Sequence, residues 1–332
     1  MREEEIRPKA IFDKYLELAR EDTVTFFSNK DDFDYISCPA CEIDNADVQF
    51  EKEGFKYVLC RNCGTLYANP RPGFEIIQQY YKNSKSTRFW AEYFYKDTEK
   101  QRREKIFKPR AIKISEFIKN NFISKPEVLV DIGAGYGAFL VEMKKLNAVN
   151  KIIAIEPSDD LAGICREKGF QVIQSPLEKV GGILRTKVSV ATSFELFEHL
   201  HNPRQFLSRV KEILSENGYF ILTTLNIEGF DLQVLWEKSN SIAPPHHLNF
   251  FNLYSIEYLL QHSGFEVVMK TTPGFLDVDI VKNAYKDGSI KADRFIEHLI
   301  KKSDTKTQEK FQTFLRENRL SSHMCIIARK EI

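Results

Sequence analysis

Two sets of residues have types and spacings that could do chemistry. Cys38-Pro39-Ala40-Cys41 is followed, after eighteen residues, by Cys60-Arg61-Asn62-Cys63-Gly64, a C-x2-C-x18-C-x2-C pattern. Two such turns present four thiolates to one tetrahedral zinc ion. The closed shell leaves no position for substrate, so the expected role is structural. The second set is the run Val128-Leu129-Val130-Asp131-Ile132-Gly133-Ala134-Gly135-Tyr136-Gly137-Ala138-Phe139-Leu140. A strand that ends in glycines and opens a helix makes a ligand site: the glycines let the backbone turn and let a ligand approach with no Cβ in the way. Free N–H groups at the helix start could then bind oxygen ligands. Glu156 ends the next strand candidate, nineteen positions after Gly137, which suits a carboxylate that accepts ribose hydroxyls. Gly133-x-Gly135-x-x-Ala138 is also acceptable as a dinucleotide fingerprint.

Elements of the right kind surround these residues. From residue 127 onward, strand candidates alternate with helix candidates. The strands are 128–131, 151–156, 170–174, 187–191, 219–223, 265–269 and 324–328; the helices between them are 137–146, 159–168 and 203–215. Alternation with short links predicts an α/β, doubly wound, seven-stranded sheet. Between the cysteine pairs, Val48-Gln49-Phe50 and Phe55-Lys56-Tyr57-Val58-Leu59 predict a β-hairpin. Residues 7–28 carry Ile11, Tyr15, Leu16 and Leu18 at helical spacing. Residues 75–120 are rich in aromatics and charges, which suits a helical layer packed on the core or a cap over a site. The expected organisation is an N-terminal helical arm (1–35), a zinc-binding unit (36–72), a helical cap or linker (73–120) and a ligand-binding domain (121–332). Polar surface helices are expected at about 283–316.

Composition narrows the partners. The 332 residues are 42% hydrophobic and 29% charged, values of a globular chain that does not live in lipid. No run of eighteen apolar residues exists, and the start, Met1-Arg2-Glu3-Glu4-Glu5, lacks the apolar core of a signal peptide. A formal charge of +1 argues against a large nucleic-acid footprint. Cytoplasmic location follows as the expectation, with neither membrane nor nucleic acid as partner, and six cysteines read as metal ligands or core residues before disulfides. Cys165 and Cys325 fall to the core.

Asp131-x-Gly133-x-Gly135-x-Gly137 resembles the first motif of class I S-adenosylmethionine (SAM)-dependent methyltransferases. Three further stretches resemble the same family in the same order. These are Glu198-His199-Leu200-His201-Asn202-Pro203 after the fourth strand, Gly218 to Asn226 along the fifth, and His247-Leu248-Asn249-Phe250-Phe251-Asn252-Leu253-Tyr254-Ser255 before a helix. The match covers roughly residues 121–272. It implies a Rossmann-like methyltransferase sheet preceded by a zinc-ribbon unit and a helical cap, with SAM as cofactor.

The resemblance also implies roles. The backbone of Gly133, Ala134, Gly135 and Gly137 would face the methionine part of SAM, and Asp131 its amino group. Glu156 would take the ribose hydroxyls; Pro157 and Glu195 would join the cofactor site; Leu177 or Glu178 would flank the adenine. A narrower resemblance is to sugar C-methyltransferases, which also carry a four-cysteine zinc unit before the SAM domain. Their catalytic H-E-H-L stands here as Pro245-His246-His247-Leu248, and their loop histidine matches His199. The glutamate before the catalytic histidine is replaced by His246, and their large C-terminal domain is not seen here. A hydroxyl or acidic-carbon acceptor needs a base, for which histidine is suited. His247 is the first candidate and His199 the second. The expected activity is methyl transfer to a small-molecule acceptor of sugar or sugar-nucleotide type. An RNA methyltransferase with a zinc finger is the first alternative, disfavoured by the near-zero charge and by the lack of an Asn/Asp-Pro-Pro-Tyr motif after the fourth strand. A non-catalytic SAM-binding or zinc interaction protein is the second.

Overall fold

Val128, Val130 and Ile132 belong to one apolar layer and Leu129 to the opposite one, so this strand is covered on both faces. In the computed structural model, which describes residues 1–180, 184 and 187–331, that strand lies in the interior of a seven-stranded sheet.

The chain begins with a short turn, Glu3–Ile6, and helix α1 (Lys9–Phe27), which buries Tyr15, Ala19, Thr23 and Phe27. Strands β1 (Ala46–Lys52), β2 (Phe55–Cys60) and β3 (Leu66–Ala68) form the antiparallel ribbon. Helix α2 (Phe74–Asn83) opens a nearly continuous helical layer that ends with α3 (Lys108–Asn121). The layer contains two π-type turns, closed by the Tyr95 amide on the Trp90 carbonyl and by the Lys108 amide on the Arg103 carbonyl.

The main sheet is built from β4 (Val128–Ile132), β5 (Lys151–Ile155), β6 (Gln171–Ile173), β7 (Val188–Phe194), β8 (Leu214–Leu225), β10 (Phe265–Thr271) and β11 (His323–Lys330). Its order is β10-β11-β8-β7-β4-β5-β6, with β11 antiparallel to both neighbours and the other contacts parallel. Helices α4 (Ala138–Leu146) and α5 (Asp159–Glu167), together with α3, contribute to one apolar layer. Helices α6 (Pro203–Ile213) and α7 (Leu253–His262) contribute to the other. Asn202 caps α6 through its side chain, and Asn252 caps α7 in a capping box with Ser255. Among the described residues, no helix is long and apolar enough to cross a membrane.

Three features depart from expectation. First, β9 (Asn249–Phe250) leaves the domain that contains it and pairs with β3, so the histidine segment becomes the fourth strand of the ribbon. Two residues are too short a run to announce a strand. Second, the helices before the last strand begin at Asp277 rather than near 283, and they are not simply surface elements. Helix α8 (Asp277–Lys286), a helical stretch from Arg294, and α9 (Thr305–Glu317) bury Val278, Val281, Ile296, Ile300 and Leu315, and Ile6 of the arm shares one cluster with Val281, Ile296 and Ile300. Third, β8 starts five residues earlier than its apolar run, because Leu214 pairs with Val188 before a bulge.

Candidate functional site

The first groups of the site sit at the carboxyl ends of adjacent parallel strands, where open α/β sheets present their ligand crevice. Asp131 lies near the end of β4, Glu156 follows β5, and Glu195 follows β7. Asp131 is buried and accepts a hydrogen bond from Thr192 Oγ1 at 2.7 Å. Burial pushes its carboxyl up to about 7, against the pull of Thr192 and Arg110.

Glu156 is 5% exposed. Its two oxygens accept from the Gly135 amide at 2.8 Å and the Ser158 amide at 3.0 Å, while burial pushes its pKa up to about 7. Each carboxylate oxygen has two acceptor positions, so one on each remains for ribose hydroxyls. Gly133, Ala134 and Gly135 keep some accessible surface, and Pro157 is exposed.

The glycine loop uses its amides differently from the expectation. Gly133 and Ala134 donate to the Ile155 carbonyl, Gly135 to Glu156, and Gly137 to the Ala134 carbonyl. These four N–H groups are therefore internal fastenings and not free donors. At Gly137, φ is +74° and a Cβ would come within 3.0 Å of Cys165 Sγ, so the loop packs on α5 only because that side chain is missing. At Gly135, φ is +55° and the space above is capped by the Tyr95 hydroxyl, 3.7 Å from where a Cβ would be. The aromatic layer thus reaches directly over the loop. Leu177 is a second correction: it is buried in the core, and of the two adenine candidates only Glu178 retains accessible surface.

Glu195 has φ +52°, a left-handed backbone just past the end of β7. It accepts from Thr223 Oγ1 at 2.7 Å and meets Arg110 at 3.4 Å and His323 Nε2 at 3.5 Å. Burial alone would raise its pKa, but His323 and Arg110 outweigh that and hold it below the ordinary value, so it is ionised. Arg110 lies on the Phe194 ring at 4.4 Å.

Beside Glu195 stands a histidine cluster. The His199 and His247 rings are 4.7 Å apart, and His246 lies 6.2 Å from His199. His247 Nδ1 is 2.5 Å from the Ser241 carbonyl. A carbonyl can only accept, so Nδ1 carries the proton and Nε2 is left bare. His199 Nδ1 contacts the Tyr81 hydroxyl at 3.3 Å, and His246 Nε2 contacts the Tyr80 hydroxyl at 2.5 Å. Burial lowers all three imidazoles, to about 4 for His247, to about 3 for His246, and well below the ordinary value for His199. Glu198 accepts from Thr224 Oγ1 at 2.7 Å, and burial pushes it up to about 8. Glu198, His199 and His247 each offer an atom within 4.8 Å of the others, so this corner could receive a proton or a divalent cation.

The four cysteine sulfurs form a second cluster, all buried and also within 4.8 Å of one another. Cys38 and Cys63 sulfurs are 3.5 Å apart and those of Cys41 and Cys60 3.6 Å. A disulfide needs about 2.05 Å. Four thiolates on one zinc at about 2.3 Å would stand about 3.8 Å apart, close to what is found.

Sequence reasoning did not find Arg7, Tyr81, Tyr95, Arg102, Arg110, Thr223 and His323. Tyr81, Tyr95, Arg102 and Arg110 fall in the stretch of aromatics and charges already noted, and Thr223 in the stretch from Gly218 to Asn226; Arg7 and His323 carried no local signal.

A methyltransferase-domain family model matches residues 100–270, just over half of the chain. The mitochondrial ubiquinone biosynthesis O-methyltransferase of Schizosaccharomyces pombe is 29% identical over 117 residues, which are 33% of this chain. The chain spans only 42% of that relative's length. Among solved structures, the plantazolicin methyltransferase BpumL in complex with SAH aligns with 77% of this chain and 94% of its own. Its TM-score is 0.50 at 15% identity, a likeness of fold. A SAM-dependent methyltransferase of Thermotoga maritima, described as a possible histamine N-methyltransferase, aligns with 72% of this chain and 98% of its own at 18% identity and TM-score 0.45. On the family match the chain belongs to the methyltransferase domain family, and its seven-stranded sheet is the Rossmann-like fold of such domains.

Proposed function

We propose that the chain transfers a methyl group from SAM to a hydroxyl or acidic carbon of a small, sugar-type acceptor such as a sugar nucleotide, in the cytoplasm. SAM supplies an electrophilic methyl on a sulfonium. Glu156 would hold the ribose and Asp131 the amino end, with the turn at Gly133, Ala134, Gly135 and Gly137 shaping the floor, Pro157 at the rim and Glu195 beside it. The four cysteines would hold a structural zinc.

The observation that carries the acceptor chemistry is the bare Nε2 of His247, fixed by the Ser241 carbonyl. A neutral imidazole so oriented can take the acceptor's proton as the methyl arrives. The imidazolium that forms needs an anion nearby. Glu195, ionised and close enough to favour the charged ring, fits that part better than Glu198, which is held protonated at neutral pH. The S. pombe relative is named as an O-methyltransferase, in keeping with a deprotonated oxygen as nucleophile.

The test is transfer of labelled methyl from SAM to a panel of sugar nucleotides, with a mass gain of one methylene in the product. Turnover on RNA alone, lost on raising the salt, would replace this reading with the nucleic-acid one. Convergence of Glu198, His199 and His247 favours one further version of the same site, in which a divalent cation lowers the acceptor's pKa. Activity that is lost on dialysis against a chelator and restored by magnesium, with the cysteine metal retained, would select it.

A further inference from the structure

Two guanidinium groups near the site have no carboxylate partner among the described residues. Arg7 follows the first turn of the arm, and Arg102 precedes the second π-type turn of the helical layer. The Nε of each is buried without a hydrogen-bond acceptor, and neither guanidinium pairs with a carboxylate among the described residues; Arg102 has the Tyr136 hydroxyl beside it. Arg7 lies over the Phe12 ring at 5.7 Å, and Arg102 between the Phe94 ring at 5.6 Å and the Phe107 ring at 6.0 Å. Aromatic faces hold the cations in place but leave their N–H edges unsatisfied. Both residues keep some accessible surface, and a guanidinium matched by no carboxylate is a ready partner for an outside anion.

The nearby acids do not fill the gap. Glu195 is engaged by Thr223, Arg110 and His323. Asp231 is buried beside Asp277, and burial and that neighbour raise its pKa well above the ordinary value. Glu3 accepts from Asn283 at 2.9 Å. Arg7 and Arg102 are near enough to repel one another, and Arg7 also acts electrostatically on Glu195 and His247. The helix Tyr95–Arg102 packs on the first turn of the chain and carries the Tyr95 hydroxyl over Gly135, so the pair stands beside the cofactor loop.

Arg7 is not loosely presented. Ile6 is buried with Leu235, Leu276 and Val281. The Glu3 amide donates to Asp279 at 2.7 Å, and Glu5 pairs with Lys105 at 2.6 Å. The first turn of the chain is thus tied to helix α8 and to the helical layer at once.

We propose that Arg7 and Arg102 form an oxyanion clamp for the acceptor, so that the methylated molecule carries a phosphate or carboxylate group gripped by both guanidiniums. The proposal rests on the methyltransferase reading above and narrows its substrate class. Guanidinium suits both anions because its forked donors match two oxygens at once. An anion in the clamp would also offset the charge of Arg7, which opposes protonation of His247.

The test is binding, not turnover. Wild type, Arg7→Gln, Arg102→Gln, Arg7→Lys and Arg102→Lys are loaded with S-adenosylhomocysteine and titrated calorimetrically with inorganic pyrophosphate and with succinate, at fixed ionic strength. The expected result is saturable binding of at least one anion by wild type, weakened about 10- to 100-fold in each glutamine variant. The lysine variants should fall between, since they keep the charge and lose the fork. Pyrophosphate preferred over succinate identifies a phosphorylated acceptor; the reverse identifies a carboxylate. S-adenosylhomocysteine affinity, measured on the same samples, should stay at the wild-type value. Its absence in wild type would sink the methyltransferase reading and not the clamp. If a glutamine variant loses folding, its lysine counterpart decides. No saturable anion binding by wild type, or equal affinity in the folded variants, overturns the clamp.

Discussion

The Tyr57 hydroxyl donates to the main-chain carbonyl of His247 at 2.7 Å. A ribbon strand thereby holds the backbone of the candidate base. The link is one of several: the Asn252 side chain donates to the Cys63 carbonyl at 3.0 Å, and buried Arg71 donates to Asn249 Oδ1 at 3.0 Å and to the His201 carbonyl at 3.2 Å. The ribbon is part of the wall of the site.

Tyr57→Phe removes the hydroxyl and leaves a buried carbonyl short of a donor, which costs about 1–3 kcal/mol. We expect a lower urea midpoint and a several-fold lower kcat, with metal content and S-adenosylhomocysteine affinity unchanged. A variant with wild-type kcat would mean that the ribbon does not position His247.

Protein purified without added zinc should carry about one equivalent per chain. Cys38→Ser or Cys63→Ser should lose it, and lose activity along with stability, because β3 pairs with β9 next to the histidines. A folded, metal-free wild type with four titratable thiols at these positions would refute the zinc assignment.

Glu156→Ala should weaken SAM binding by roughly 1.5–3 kcal/mol for each charged hydrogen bond removed. The same carboxyl carries a pH signature. Its pKa is about 7 in the fold and 4.5 as the ordinary value, so the folded chain holds the proton longer than the unfolded one. Its contribution is fully present below pH 4.5 and is lost as pH rises through about 7. Glu156→Gln should therefore be more stable than wild type at pH 8 in the absence of cofactor, and that gain should vanish near pH 4. Urea titrations at both pH values measure it; a gain of equal size at both would contradict the shifted carboxyl.

His247→Ala should lower kcat by about 10²–10⁴-fold while SAM affinity stays near wild type. Burial lowers the imidazole to about 4, so it is neutral throughout the working range. The kcat profile should then stay level from pH 8 to pH 5.5, without the inflection near 6.5 of an ordinary histidine. His247→Asn keeps a polar group but no base and should be as slow as the alanine variant. Wild-type turnover in either would hand the role to His199 or to no side chain.

The central sheet was legible because its information is local. Val128 to Ile132 is apolar on both faces, the glycines follow at once, and Glu156 falls at a fixed distance along the chain. The cysteine pairs announce themselves by spacing. What stayed hidden depends on contacts between distant segments. Arg7 reads as one charge in an acidic arm; only the burial of Ile6 against Val281 brings it to the site. Asn249 and Phe250 read as loop, since their strand character comes from β3 and not from their own pattern. The free glycine-loop amides expected from the motif turned out to be occupied, because β5 ends with a carbonyl, Ile155, placed to accept two of them. Periodicity reports burial along an element but not which neighbour a hydrogen bond will find.

The position of β11 has a consequence for synthesis. It is inserted between β8 and β10, both translated earlier, and it carries His323 to Glu195. On the ribosome, β8 and β10 must wait with unpaired edges until residues 323–330 have emerged. Any stop codon upstream of His323 would therefore leave a split sheet with two sticky borders, a form fit for proteolysis or clumping instead of a shortened enzyme.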